Sequence, residues 1–121
     1  GEVLLEPQGW AVSADISVEP YSQPSPAALT ATVQAAGMAL PLAVRSRRRG
    51  DSLRPAGMGG RRKKLQDLFV DRKVPRNERD RVPIVVDADG RIVWVAGVTI
   101  AHDCRVTAPE AGVVILELKR R

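Results

Sequence analysis

Val12, Ala14, Ile16 and Val18 alternate with Ser13, Asp15 and Ser17, the period-two pattern of a strand with one buried face. This predicts a strand over 10–18, with a shorter one over 3–6 before it and Pro7-Gln8-Gly9 as the turn between. Prolines at 20, 24 and 26 mark a loop, and strands over 29–34 and 40–47 follow with Gly37 between them. Two further strands, 82–86 and 91–95, flank Asp87-Ala88-Asp89-Gly90, a hairpin signal because Asp and Gly tolerate positive φ. A last strand is expected over 113–118. The pattern changes only in the middle: Leu65, Leu68 and Phe69 fall at i, i+3 and i+4, one apolar stripe of a helix, and Pro75 opens a second short helix through Arg79. There is no internal repeat. The expected fold is β-rich α+β, with sandwich-like strands and one or two short helices inserted in the middle of a single domain, 1–121.

Composition narrows the class. The 121 residues are 44% hydrophobic, enough for one compact core. No apolar run approaches the roughly 18–20 residues of a membrane span, and the N-terminus lacks the order of a signal peptide. The lone cysteine, Cys104, cannot close an internal disulfide, which agrees with a reducing compartment. The expectation is a cytoplasmic protein without a membrane partner. Gly1 in place of an initiating methionine is what a piece of a longer protein would show.

Charge changes the picture more, because it is segregated. Residues 1–44 hold four acidic and no basic side chains; residues 45–81 hold fourteen basic against five acidic, a net of +9; residues 82–121 balance five against five. A block of this kind makes a local positive field that polyanions feel, since Lys and Arg on phosphates release counterions. The plainer alternative is a solvated, salt-bridged face. Arg61, Arg62, Lys63 and Lys64 are expected to cluster at the N-terminal turn of the first helix. Cations there oppose the helix dipole, which a phosphate would relieve, with the backbone at Gly57–Gly60 close to it. The alternative is that these long side chains reach into water.

Candidate chemistry is sparse. His102-Asp103-Cys104 is the one place where a nucleophile, a base and an acid coincide, but adjacent residues do not converge by default, and one Cys with one His does not complete a zinc site. Asp87 and Asp89 are read as hairpin residues rather than paired catalytic carboxylates. The 57–64 segment lacks the ending of a phosphate-binding Walker loop. No catalytic and no metal-binding residue is assigned.

Several ordered segments carry a family resemblance: VRSRRRGDSLRP (44–55), KKLQDLF (63–69) and KVPRNERDRVPIVVDADGRIVWVAG (73–97). Arg45, Arg47, Gly50, Asp51, Pro55, Gly57, Met58, Lys63–Lys64, Leu65, Lys73, Val74, Pro75, Glu78, Arg79, Asp80, Pro83, Trp94, Val95 and Gly97 together resemble the C-terminal domain of tRNA(Ile)-lysidine synthetase. The resemblance covers about residues 44–100; 1–43 form a strand-rich acidic flank and 101–121 a C-terminal strand region. Arg49 stands where the pattern has proline, Ser52 where a basic residue is common, and 59–64 is about one residue longer than the pattern. The resemblance implies a fold similar to a domain of the phenylalanyl-tRNA synthetase β subunit. It implies a tRNA-recognition module for the acceptor stem of tRNA(Ile) with a CAU anticodon, serving a separate catalytic domain that attaches lysine to the wobble cytidine with ATP and magnesium. The S-G-G-x-D-S ATP-binding loop of that catalytic domain does not occur here. This chain is therefore expected to bind no cofactor and to perform no reaction itself.

Residue chemistry adds a preference for duplex over single strand. Trp10, Tyr21, Phe69 and Trp94 are the only aromatics, too few to stack splayed bases, whereas A-form RNA is read through phosphates, 2′-hydroxyls and shape. The expected contacts are Arg47, Arg48, Arg54, Lys63, Lys64, Lys73, Arg76 and Arg79. Arg45 is open between RNA contact and pairing with Asp51, and Arg79 between RNA and Asp80 or Glu78. Gly50, Pro55, Gly57 and Pro75 are expected to shape the backbone, and Trp94 to sit in the core. Two other classes stay open: a module that docks the catalytic domain of the same enzyme through the acidic strands of 1–44, and a small RNA-directed enzyme centred on His102.

Overall fold

The computed structural model describes residues 2–4, 10–17, 29–34, 37–107 and 112–120. The expected 7–9 turn and the loop of prolines 20, 24 and 26 lie outside these. Strands β1 (Glu2–Leu4), β2 (Trp10–Ser17) and β3 (Leu29–Gln34) join the C-terminal β10 (Val113–Arg120) in an antiparallel sheet ordered β1-β2-β10-β3. β10 lies between the other two long strands, with Val113 opposite both Ser17 and Gln34.

A second antiparallel sheet, ordered β4-β7-β8-β9, contains β4 (Ala43–Arg45), β7 (Ile84–Val86), β8 (Ile92–Val95) and β9 (Thr99–Ile100). Every residue of β7 and β8 is buried, which requires cover on both faces. On one face Val44, Val85, Val93 and Trp94 meet Val33, Val114 and Leu116 of the first sheet. On the other, Ile84, Val86, Ile92 and Val95 meet Leu65, Leu68 and Phe69 of helix α1 (Leu65–Asp71). The second sheet is thus the middle of three layers. Val85 pairs with Trp94 and Val86 with Ile92, so Val93 is an extra bulge residue. That insertion puts neighbouring Val93 and Trp94 into the same core cluster and makes Trp94, 3% exposed, the core residue its sequence predicts.

The expected strand over 40–47 is shortened to Ala43–Arg45, because Pro41 has no N–H for a ladder and Arg47–Gly50 turns away. Pro83 likewise delays β7 to Ile84. The second short helix expected from Pro75 through Arg79 is present as a 3-10 helix, Arg76–Arg81. A larger correction concerns the four cations at 61–64. Lys63 and Lys64 form a short strand, β6, paired with β5 (Ser52–Leu53). Lys64 is the extended N-cap of a helix only seven residues long, whose first turn carries Asp67. Asp67 already suits the dipole, and Lys63 folds back to pair with Asp71 at the far end. The cations therefore do not gather on the helix terminus.

Helix α1 ends in a Schellman pattern: Val74 N–H donates to Phe69 O at 2.9 Å and Lys73 N–H to Val70 O at 3.1 Å. Lys73 occupies the left-handed position, φ 57°, where glycine is the usual residue. Lys73→Gly is expected to stabilise the chain by roughly 0.5–1 kcal/mol, since relief of the Cβ clash exceeds the added freedom of the unfolded glycine; urea denaturation reads the difference. Among the described residues no helix is long and apolar enough to cross a membrane.

Candidate nucleic-acid interface

The loop between β4 and β5 is pinned through one carboxylate. Asp51 Oδ2 and Oδ1 accept Arg45 Nη1 at 2.9 Å and Nη2 at 3.0 Å, and Oδ2 also accepts the Arg48 backbone N–H at 2.7 Å. Its main chain works too: Asp51 N–H donates to Arg48 O at 3.1 Å, and Asp51 O accepts Leu65 N–H at 2.9 Å. Burial raises the Asp51 carboxyl pKa, but the Arg45 hydrogen bond, the Arg48 amide and both arginine charges outweigh it and hold the group below 3.8. The Arg45 alternatives thus resolve to pairing with Asp51. Gly50, at φ 87°, supplies the left-handed bend that lets the chain reverse onto this carboxylate.

With the loop fixed, Arg47, Arg48, Arg49, Gly50, Asp51 and Lys64 line a groove of about 370 Å³ together with Asp80. Arg47 is spoken for, its Nε donating to Asp80 Oδ1 at 2.8 Å. Arg48, Arg49 and Lys64 are exposed, and among the described residues their side chains have no hydrogen-bond or ion-pair partner. Three exposed cations on a preformed backbone give this groove a positive field, with the Arg48 charge partly shared with Asp51. Asp51 and Gly50 also border a second groove of about 350 Å³ that contains Arg54, Arg62 and Arg91.

Residues 42–117 match the family described as the TilS substrate C-terminal domain. The chain belongs to this family. It is 47% identical over 95 residues to a tRNA(Ile)-lysidine synthase of Geobacillus kaustophilus, an overlap of 78% of this chain and 20% of the relative. With the enzyme of the same name from Symbiobacterium thermophilum it shares 51% over 81 residues, 67% of this chain and 16% of that one. The chain thus spans a fifth or less of the length of these curated relatives. A crystal structure of a TilS C-terminal domain superposes with a TM-score of 0.71 at 39% identity, over 94% of this chain and 86% of that one. An N-terminal fragment of the phenylalanyl-tRNA synthetase β subunit from Pyrococcus horikoshii matches with a TM-score of 0.60, over 75% of this chain and 28% of that one. At 9% identity this second likeness concerns the fold alone.

Within this TilS C-terminal domain the predicted contact residues divide. Arg47, Arg48 and Lys64 come together in the first groove and Arg54 lies in the second. Lys63 is paired with Asp71. Lys73 and Arg76 are exposed around the end of α1 and line neither groove. Arg79 Nε donates to Val74 O at 3.0 Å and supports the corner that Lys73 turns. Gly57–Gly60 also lines neither groove. Arg49, Arg62 and Arg91 are groove residues outside the eight expected contacts, although Arg62 belongs to the 61–64 run read against a phosphate. Arg49 carried a signal, as a cation at the position where the family pattern has proline; Arg62 and Arg91 reach the grooves only through tertiary pairing.

The remaining polar centres are structural in geometry. Asp87, 4% exposed, accepts the backbone N–H groups of Asp89 and Arg91 and the Arg91 Nε at 2.9–3.0 Å. Burial raises its pKa, and the Arg91 amide, guanidinium and charge with the Asp89 amide bring it below 3.8. His102, Asp103 and Cys104 form a 3-10 turn. Arg105 Nη2 stands 3.1 Å from His102 Nε2, which accepts because a guanidinium only donates. Burial, then the Asp103 and Asp87 charges, push the Cys104 thiol to about 11 against the partial offset of Arg91, which leaves it protonated and a poor nucleophile at neutral pH. Among the described residues no three His, Cys, Asp or Glu side chains converge as metal ligands.

Proposed function

We propose that this domain binds the acceptor stem of tRNA(Ile) with a CAU anticodon and presents the tRNA to the catalytic domain of a cytoplasmic tRNA(Ile)-lysidine ligase, which attaches lysine to the wobble cytidine with ATP. The chain contributes binding and orientation; the chemistry belongs to the other domain. The observation that carries this reading is the convergence of exposed Arg48, Arg49 and Lys64 on one groove beside a backbone held by Asp51. The Asp51 carboxylate is bonded to the Arg45 guanidinium and the Arg48 amide, which leaves the Arg49 and Lys64 charges for phosphate. Membership of the TilS family supports tRNA as the polyanion.

Lys63 and Lys64 provide the test, because they adjoin in sequence and differ in pairing. Lys64→Ala is expected to weaken binding of tRNA(Ile) about threefold and to lower the slope of log K against log salt by about one. Lys63→Ala, which frees Asp71 as it removes a cation already paired, is expected to leave that slope within about 0.3. Titrations across salt concentration, repeated with acceptor-stem base pairs exchanged, read both charge and stem recognition. Equal slopes for wild type and Lys64→Ala would remove the groove from the interface. Wild-type binding that ignores the exchanged pairs would reduce the role to a nonspecific clamp.

A further inference from the structure

The two grooves have the same charge plan on either side of one short ridge. The first is lined by Arg47, Arg48, Arg49 and Lys64 with Asp51 and Asp80; the second by Arg45, Arg54, Arg62 and Arg91 with Asp51 and Asp103. Gly50 and Asp51 border both. In the second groove Asp51 is occupied by Arg45, and Asp103 stands a loose 4.0 Å from Arg54. Arg62 donates to the neutral Ser52 Oγ at 2.9 Å, which orients its guanidinium and leaves its charge intact. Arg54 and Arg62 are exposed. On the ridge itself, Gly50 has nothing within 4 Å of where a Cβ would stand.

We infer that the 48–51 ridge sits between the two strands of an A-form RNA duplex, with Arg48, Arg49 and Lys64 on the phosphates of one strand and Arg54 and Arg62 on those of the other. A single strand has one phosphate track and would fill one groove. A duplex has two, and the wide, shallow A-form minor groove admits a low ridge without deep side chains between them. A glycine at the crest lets the main chain approach the 2′-hydroxyls. Asp51 lies under the crest, bound to Arg45 and the Arg48 amide, where it faces neither phosphate row unpartnered. This inference rests on the RNA-binding reading and adds a strand assignment to it.

The experiment uses the 121-residue chain and a hairpin with the acceptor-stem sequence of tRNA(Ile), made unmodified, with neutral methylphosphonates in the 5′ strand, or with them in the 3′ strand. The variants are R48Q/R49Q for the first groove and R54Q/R62Q for the second; glutamine keeps a donor for Ser52 and so preserves the β5-β6 pairing, and thermal melts verify folding. Each double variant is expected to bind the unmodified hairpin about fivefold more weakly with a salt slope lower by about two. Neutralising one strand should then cost R48Q/R49Q little and R54Q/R62Q the full wild-type loss, with the roles reversed on the other strand. Undiminished binding by R54Q/R62Q beside weakened R48Q/R49Q would overturn the straddled duplex and keep the first groove. Loss of sensitivity to the same strand in both variants would overturn it as well. Undiminished binding by both variants would remove the RNA-binding reading itself.

Discussion

Asp51→Asn is expected to weaken RNA binding about tenfold, although it removes a negative charge from between two basic grooves. Electrostatics alone gives the opposite sign, since taking an anion away from a phosphate-binding surface strengthens the field. The loss comes from geometry. Asparagine has one acceptor oxygen where the carboxylate uses two for Arg45 and shares one of them with the Arg48 amide, so Arg48 and Arg49 lose their fixed backbone. Asp51 is a positioning residue in this account, and the salt slope, falling by about two as both contacts are lost, separates it from a merely structural role. A tighter complex would show that the carboxylate acts only as a repulsive charge. The Arg45 and Asp51 side chains are 16% and 12% exposed, and breaking a pair this buried costs stability as well, about 2 kcal/mol. The pH dependence follows: the folded carboxyl titrates below its unfolded value, so the pair's contribution is complete above about pH 4 and is lost as pH falls through the lower folded pKa. Asp87 titrates in the same sense. Acid unfolding of the Asp51→Asn variant should therefore be shallower than that of the wild type.

Phe69→Ala should remove about 3–5 kcal/mol of stability, the range for a fully buried aromatic whose neighbours cannot close the gap. Phe69 is 0% exposed and belongs with Leu53, Leu65, Leu68, Ile84 and Val95 to the cluster between α1 and the middle sheet. A helix of seven residues does not persist without such packing, and its first residue follows directly on Lys64, so the groove wall should loosen with it. Val70→Ala, at a position 55% exposed, is the control and should change stability by less than about 0.5 kcal/mol. Urea denaturation of the two variants compares them directly; a loss below about 1 kcal/mol for Phe69→Ala would mean that the helix does not cover the sheet.

Much of this architecture is visible in the residue pattern. The alternation over 10–18 and the hairpin around Asp87–Gly90 lead straight to β2, β7 and β8, because strand period and turn chemistry are local. The stripe of Leu65, Leu68 and Phe69 identifies α1 for the same reason. The pairs Ser52–Leu53 and Lys63–Lys64 are invisible, since two residues have no period and their pairing closes a loop between them. The middle layer is legible only in part: Ile84-Val85-Val86 is continuously apolar, but nothing local says that a sheet covers one side and a helix the other. At the interface the charge block is plain and its division is not. Lys63 and Lys64 are alike until the fold sets Asp71 beside the first, and Arg45 is one arginine among many until the chain turns at Gly50 to bring Asp51 onto it.

The position of β10 bears on how the domain is made. Its partners β2 and β3 are the neighbours on either side; β2 pairs along its whole length and β3 with Val113–Leu118. A ribosome delivers those two strands roughly eighty to one hundred residues before the one that joins them, so both wait with unsatisfied edges during synthesis, an arrangement of high contact order. The middle sheet and its helix come from contiguous sequence and have no such delay. The basic loop between β4 and β5 can therefore be shaped on the nascent chain while the first sheet is still open, and the last strand acts as the closing step that commits the whole.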